Sequence, residues 1–240
     1  MPVFDPESDA LQKYLSGENF GEQVAFEYAF KTPLKNRSHI ISDIAKNRSI
    51  LHIGCCDHSP LLREKISKGT WLHGILSNLA NMCIGIDIDR SAIQNARTIS
   101  GLDNIYFGDI TSENKIAEIS ENQFDYAIFG EVLEHIGNPV NFIAQFLENY
   151  APNVKNVIIT VPNALRGGNV LNIFKAREAI NTDHRFFFTP YTLAKVAWDA
   201  GLLPTSVQMA HYSPAPPIKA AILNRFPLLA EDLILIGHPR

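Results

Sequence analysis

Two carboxylates and an imidazole stand at close spacing in Glu131-Val-Leu-Glu134-His135, directly after the apolar run Phe124–Gly130. A neutral histidine there can take a proton from a hydroxyl near neutral pH, because its ordinary pKa is about 6.5. The same residues with the distant His184 could instead hold a divalent cation that binds a diol and acidifies its hydroxyl. Helix capping and loop ordering use these residue types as well. His135 is therefore expected to act as a base without a metal, and the metal ligands are left open.

A second group of candidates ends other apolar runs. Ile50-Leu-His-Ile-Gly54-Cys55-Cys56-Asp-His58-Ser59 has a single glycine where a dinucleotide fingerprint would have three. A pyrophosphate is poorly served by that turn, which disfavours a nicotinamide dehydrogenase. A nucleoside without phosphates needs less: one glycine for close backbone approach and one acid for the ribose hydroxyls. Asp87, closing Met82–Asp87, is placed to be that acid. Asp109, after Gly108, could accept from an adenine amino group. The bland alternatives are a helix cap through Asp89, an ordinary Gly-Asp turn, and cysteines that merely pack.

The elements that would position these residues follow from hydrophobic patterning. Buried-strand runs at Ser49–Gly54, Met82–Asp87, Asn104–Asp109, Phe124–Gly130 and Val157–Val161 alternate with helical stretches at Leu72–Ala80, Ser91–Ile99, Lys115–Ile119 and Val140–Tyr150. Such alternation builds right-handed βαβ units and a parallel sheet covered on both faces, with ligands beyond the carboxyl ends of the strands. Further on, a helix is expected at Val170–Ala179 and another from Thr189-Pro190 to Gly201. Strands follow at Thr205–Tyr212 and Asp232–Gly237. Residues 1–48 read as an N-terminal helical segment, with Phe20, Val24, Ala25 and Tyr28 at helical spacing. Residues 49–240 then form the main domain. Within it, 163–188 and 213–230 are candidate acceptor lids, as is Trp71-Leu-His-Gly74, with plain packing as the equal alternative.

Composition agrees with a packed domain. The 240 residues are 46% hydrophobic and 19% charged, with a net charge of −4 and no basic footprint for duplex nucleic acid. No apolar run approaches a membrane span, and the start lacks signal-peptide character. Cys55, Cys56 and Cys83 are odd in number and without CxxC spacing, so a reducing cytoplasm is expected. The oligomeric state is left open.

Gly54, Asp87, Gly108-Asp109 and Glu131–His135, with Val161-Pro-Asn163 and the run from Asp183 to Leu193, resemble class I S-adenosylmethionine-dependent methyltransferases. The resemblance is to the broad group that includes the ubiquinone-biosynthesis O-methyltransferases, and it covers about residues 38–202 and, more loosely, the two terminal strands. It implies an α/β fold: one doubly wound, Rossmann-like, mostly parallel seven-stranded sheet with an antiparallel strand near the C-terminus. It implies S-adenosylmethionine against Gly54, Cys55, Asp87, Ile88, Asp109, Ile110 and Glu131, with His135 catalytic. The acidic and imidazole set is similar to that of small-RNA 2′-O-methyltransferases, which bind a metal from similar positions. The amino-methylating branch has Asn/Asp-Pro-Pro-Tyr/Phe where this chain has Gly130-Glu-Val-Leu133, so oxygen of a small molecule or glycan is the expected acceptor. Cys56 and His58 replace glycines of the family's Gly-x-Gly-x-Gly. A degenerate, non-catalytic cofactor-binding module is the alternative.

Overall fold

The structure, a computed structural model, describes all residues except 2, 30–32, 58 and 213–215. The reading of His58, and the part of the second lid at 213–215, lie outside the described residues. In chain order the elements are α1 (Asp9–Ser16), α2 (Arg37–Ala45), β1 (Ser49–Ile53), α3 (Ser59–Ser67), α4 (Leu72–Leu79), β2 (Met82–Asp87) and α5 (Arg90–Ser100). Next come β3 (Ile105–Phe107), α6 (Ala117–Ser120), β4 (Phe124–Gly130), α7 (Pro139–Tyr150), β5 (Val154–Pro162) and α8 (Gly167–Ile173). The chain ends with α9 (Pro190–Asp199), β6 (Leu202–Ala210), α10 (Pro217–Arg225) and β7 (Asp232–Pro239).

Seven strands form one sheet in the order β3-β2-β1-β4-β5-β7-β6. β1 to β5 run parallel, and β7 lies antiparallel between β5 and β6. The central strands are apolar on both faces because both faces are covered. Leu51, Ile84, Phe129, Ile159 and Leu235 join the core under α1, α7 and α9. Their neighbours Ile50, Cys83, Ile128, Ile158 and Ile234 face α2 and α4.

Local chemistry fixes the helix ends. Asp89 caps α5 by accepting from the Ser91 and Ala92 amides, and Gly101 closes it at φ +73°. Asn138 caps α7 with Pro139 behind it, and Thr189 and Thr192 form a reciprocal cap on α9.

The N-terminal reading needs correction. Residues 20–28 are not helical. α1 ends at Gly17 with φ +84°, and the chain beyond it is held by aromatic packing. Phe26 stacks on Tyr191 with centroids 5.3 Å apart, Tyr28 stacks on Phe4, and Phe20 is left exposed. Tertiary contacts override a weak helical period here. α8 also begins earlier than expected and ends at Ile173, and β6 starts at Leu202 with a register shift between Pro204 and Ser206.

Candidate active site

The carboxyl ends of β1 and β2 build one half of the site. Gly54 turns the chain at φ +65°, and a methyl group there would come within 2.7 Å of Val132 Cγ2. Glycine is required both by backbone sterics and by this close approach. Its amide donates to Ile86 O (2.9 Å), tying the two strand ends together. Cys55 is buried, with its carbonyl accepting from the Trp71 indole at 3.1 Å. Trp71 and His73 are thus core residues, which corrects the lid reading of Trp71–Gly74.

Asp87 accepts from the Cys56 amide through Oδ2 (2.9 Å) and from the Asp89 amide through Oδ1 (3.0 Å). A carboxylate has about four acceptor positions, so two remain for ligand hydroxyls. Burial pushes the Asp87 carboxyl up, and the two amides pull it part of the way back. Helix capping belongs to Asp89, leaving Asp87 to the strand end. Ile88 beside it is 66% exposed, an apolar surface at the mouth of the site. Asp109 is exposed and its Oδ1 accepts from the Thr111 amide and hydroxyl, while Ile110 is buried. One atom each of Cys55, Cys56 and Asp87 can be chosen that all lie within 4.8 Å of one another.

After β4 the chain turns at Glu131, a non-glycine residue with φ +58°. Its amide donates to Thr160 O (3.1 Å), and its Oε1 receives the Thr160 hydroxyl (3.1 Å) and the Arg37 guanidinium. Arg37 reaches in from the start of α2, with Nε 3.6 Å from Asp232 Oδ2 and its guanidinium 5.1 Å from the centre of the Tyr212 ring. Burial works against its charge, but Glu131 and Asp232 outweigh that and raise its pKa. Asp232 is pushed up to about 8, by burial first and then by Glu131. Glu134 is almost fully buried, neither of its carboxylate oxygens has a hydrogen-bond partner among the described residues, and burial with nearby Glu131 pushes it up to about 8.

The connection between β5 and α9 brings the remaining groups. His135 Nδ1 lies 2.9 Å from Asp183 Oδ2, which fixes the imidazole and leaves Nε2 for other work. The ring of His184 meets that of His135 edge to face, with centroids 4.7 Å apart. Burial and His135 lower the pKa of His184. Donor atoms of Glu134, His135 and His184 all lie within 4.8 Å of one another. The connection is pinned by the Arg185 amide donating to Glu134 O (2.7 Å) and by the Arg185 guanidinium on His135 O. A cavity of about 290 Å³ opens beside His184, with Pro162, Arg166, Ile180, Asn181 and Phe187 among its walls.

Glu134, His135 and His184 therefore converge, whereas the Glu131 carboxylate is drawn aside to Arg37 and Thr160. Sequence reasoning missed Arg37, Thr160, Asp183, Asp232 and Arg166 as parts of the site. Two of them carried a signal: Asp232 as an acid opening the apolar run Leu233–Leu235, and Asp183 as the first residue of the run that carries the family likeness.

A sheet in this strand order, with a glycine turn after β1 and an acid ending β2, is a doubly wound α/β architecture, a class that takes its ligands beyond the carboxyl ends of the strands. The chain belongs to the methyltransferase-domain family, whose profile matches residues 26–207, and is a class I S-adenosylmethionine-dependent methyltransferase. No curated protein matches it. Similar solved structures include the magnesium protoporphyrin IX methyltransferase of Synechocystis PCC 6803 with bound SAH (TM-score 0.51, 14% identity, 84% of this chain and 78% of that one). A SAM-dependent methyltransferase from Aquifex aeolicus gives TM-score 0.51 at 12% identity, over 85% and 90% of the chains. A small RNA methyltransferase gives TM-score 0.53 at 18% identity, covering 92% of this chain but 27% of that one. At such identities these likenesses speak for the fold alone.

Proposed function

We propose that the enzyme methylates a hydroxyl oxygen of a small-molecule or glycan acceptor, with His135 acting on the hydroxyl proton. The observation that carries this reading is the Asp183–His135 pair at the carboxyl edge of β4, beside an open cavity. Asp183 orients the ring through Nδ1, and Nε2 takes the proton as the oxygen attacks the methyl group. The sulfonium is already reactive, so most of the acceleration comes from aligning oxygen, methyl and sulfur. In this reading Gly54, Cys55, Asp87 and Ile88 cradle the ribose and methionine side of the cofactor. Asp109 and Ile110 receive the adenine, and the Glu131 turn closes the site.

A second reading is favoured by one observation: the buried Glu134 carboxylate has no hydrogen-bond partner at either oxygen among the described residues. Such a group takes up either a proton or a cation. The donor set of one carboxylate and two imidazoles fits a divalent ion, so Glu134, His135 and His184 would hold it. When bound, the ion would supply Lewis acidity toward the acceptor oxygen. One experiment tests both: turnover of a hydroxylated acceptor panel, with and without chelator, in wild type and His135→Ala. A base alone predicts a loss of about 10²–10⁴ in kcat for His135→Ala and no chelator effect. A cation predicts chelator inactivation, reversed by Mg²⁺ or Mn²⁺, and the same loss in His184→Ala. Full activity of His135→Ala on an accepted substrate refutes both.

A further inference from the structure

The lining of the cavity beside His184 includes an arginine, Arg166, that makes no ion pair among the described residues. Arg166 is half-buried on its wall, and its one side-chain hydrogen bond among the described residues is from Nε to Asn169 Oδ1 (2.9 Å). No carboxylate among the described residues lies within ion-pair distance of it, although the chain as a whole carries −4. The comparison with Arg37 is direct, since that buried arginine is matched by Glu131 and Asp232. A partly desolvated guanidinium with four free donors in a planar fork is suited to carboxylate or phosphate. Pro162, Ile180 and Phe187 give the cavity an apolar lining, and about 290 Å³ is at the small end for a ligand pocket.

We propose that the methyl acceptor is a small amphipathic acid: an apolar or aromatic body lying between Ile180 and Phe187, bearing an anionic group read by Arg166. Its hydroxyl lies at the His184 end of the cavity. The inference rests on methyl transfer taking place beside His135. Arg166 is then a specificity-determining residue, acting on the acceptor and not on the cofactor.

The test is calorimetry on the full chain saturated with S-adenosylhomocysteine, using matched acid and neutral probes: 3,4-dihydroxybenzoate against its amide, and phenyl phosphate against phenol. At least one acid should bind about tenfold tighter than its neutral partner, and salt should weaken that preference. Which pair shows it tells carboxylate from phosphate. Arg166→Gln should bring the pair to near parity while leaving S-adenosylhomocysteine affinity unchanged. Ile180→Glu, which supplies Arg166 with an internal carboxylate, should do the same and decides the matter if Arg166→Gln does not fold. No preference for any acid, or a preference that survives in the variants, overturns the inference. Failure of wild type to bind S-adenosylhomocysteine would instead overturn the reading beneath it.

Discussion

Arg37 joins the N-terminal helix α2 to the catalytic edge, and replacing it should expose how much that edge depends on charge balance. Arg37→Met keeps most of the side-chain stem and removes the guanidinium. Removing one partner of a buried ion pair typically costs about 3–5 kcal/mol, because the other charge is left without compensation. Two features reduce that figure here. Asp232, pushed up to about 8, is mostly protonated at neutral pH and loses little, and the Glu131 side chain is 25% exposed and so partly hydrated. The expected loss is therefore about 2–4 kcal/mol near neutral pH. Its pH dependence follows from linkage. Without the cation, the folded-state pKa of Asp232 rises further above its unfolded value. Both proteins then lose stability alike up to about pH 8, and above it the variant is penalised increasingly, because the wild-type carboxyl has ionised and the variant's has not. Urea unfolding of wild type, Arg37→Met and Arg37→Lys at about pH 7 and pH 9.5 measures this, with lysine restoring part of the stability. A loss below about 1 kcal/mol, or one equal at both pH values, would refute the claim that Arg37 neutralises this buried acidic pair.

Asp87→Ala should weaken S-adenosylmethionine binding by about 1.5–3 kcal/mol in calorimetry, as for loss of charged hydrogen bonds. Asp89→Ala should instead lower stability by about 1 kcal/mol as a lost helix cap, with affinity intact, so equal behaviour of the two variants contradicts the assignment. Gly54→Ala should lower both melting temperature and cofactor affinity, since its methyl group meets Val132 Cγ2 at 2.7 Å and the backbone has φ +65°. Val132→Ala should then recover the steric part alone, and a full recovery would mean that backbone strain is negligible. Glu134 has a folded pKa of about 8 against an ordinary 4.5, so its contribution to stability is complete in acid and is lost as pH rises through about 8. With chelator present, Glu134→Gln should become more stable relative to wild type from about pH 6 to 9, and a constant difference would show that Glu134 is not protonated in the fold.

The sheet was legible because its physics is local. β2 and β4 are continuous apolar runs bounded by turn residues, and both fall at the expected residues, Met82–Asp87 and Phe124–Gly130. Helices α5, α7 and α9 carry their stop and start signals in Asp89, Asn138-Pro139 and Thr189-Pro190. Residues 20–28 were misread because Phe20, Val24, Ala25 and Tyr28 keep helical spacing, whereas the chain's path is set by long-range packing of Phe26 on Tyr191 and of Tyr28 on Phe4. Gly17 and Gly21 were the counter-signal, since a chain that leaves α1 through a left-handed glycine has lost its helical hydrogen bonds.

The candidate site could be proposed from sequence only where a strand end carries its own chemistry, as at Gly54, Asp87 and His135. Its long-range partners could not. Nothing local pairs Arg37 with Asp232, or Asp183 with His135, because a charge in sequence says nothing about which buried charge it will meet. The run Glu131–His135 shows the limit most clearly. On paper its two acids form one cluster, yet the positive φ at Glu131 redirects the chain between them. One carboxylate is consumed by Arg37 and Thr160, and the other is buried beside the two imidazoles with no hydrogen-bond partner among the described residues. Spacing alone gives both acids the same chemistry; a single backbone turn gives one a structural charge to balance and leaves the other free for a proton or a cation.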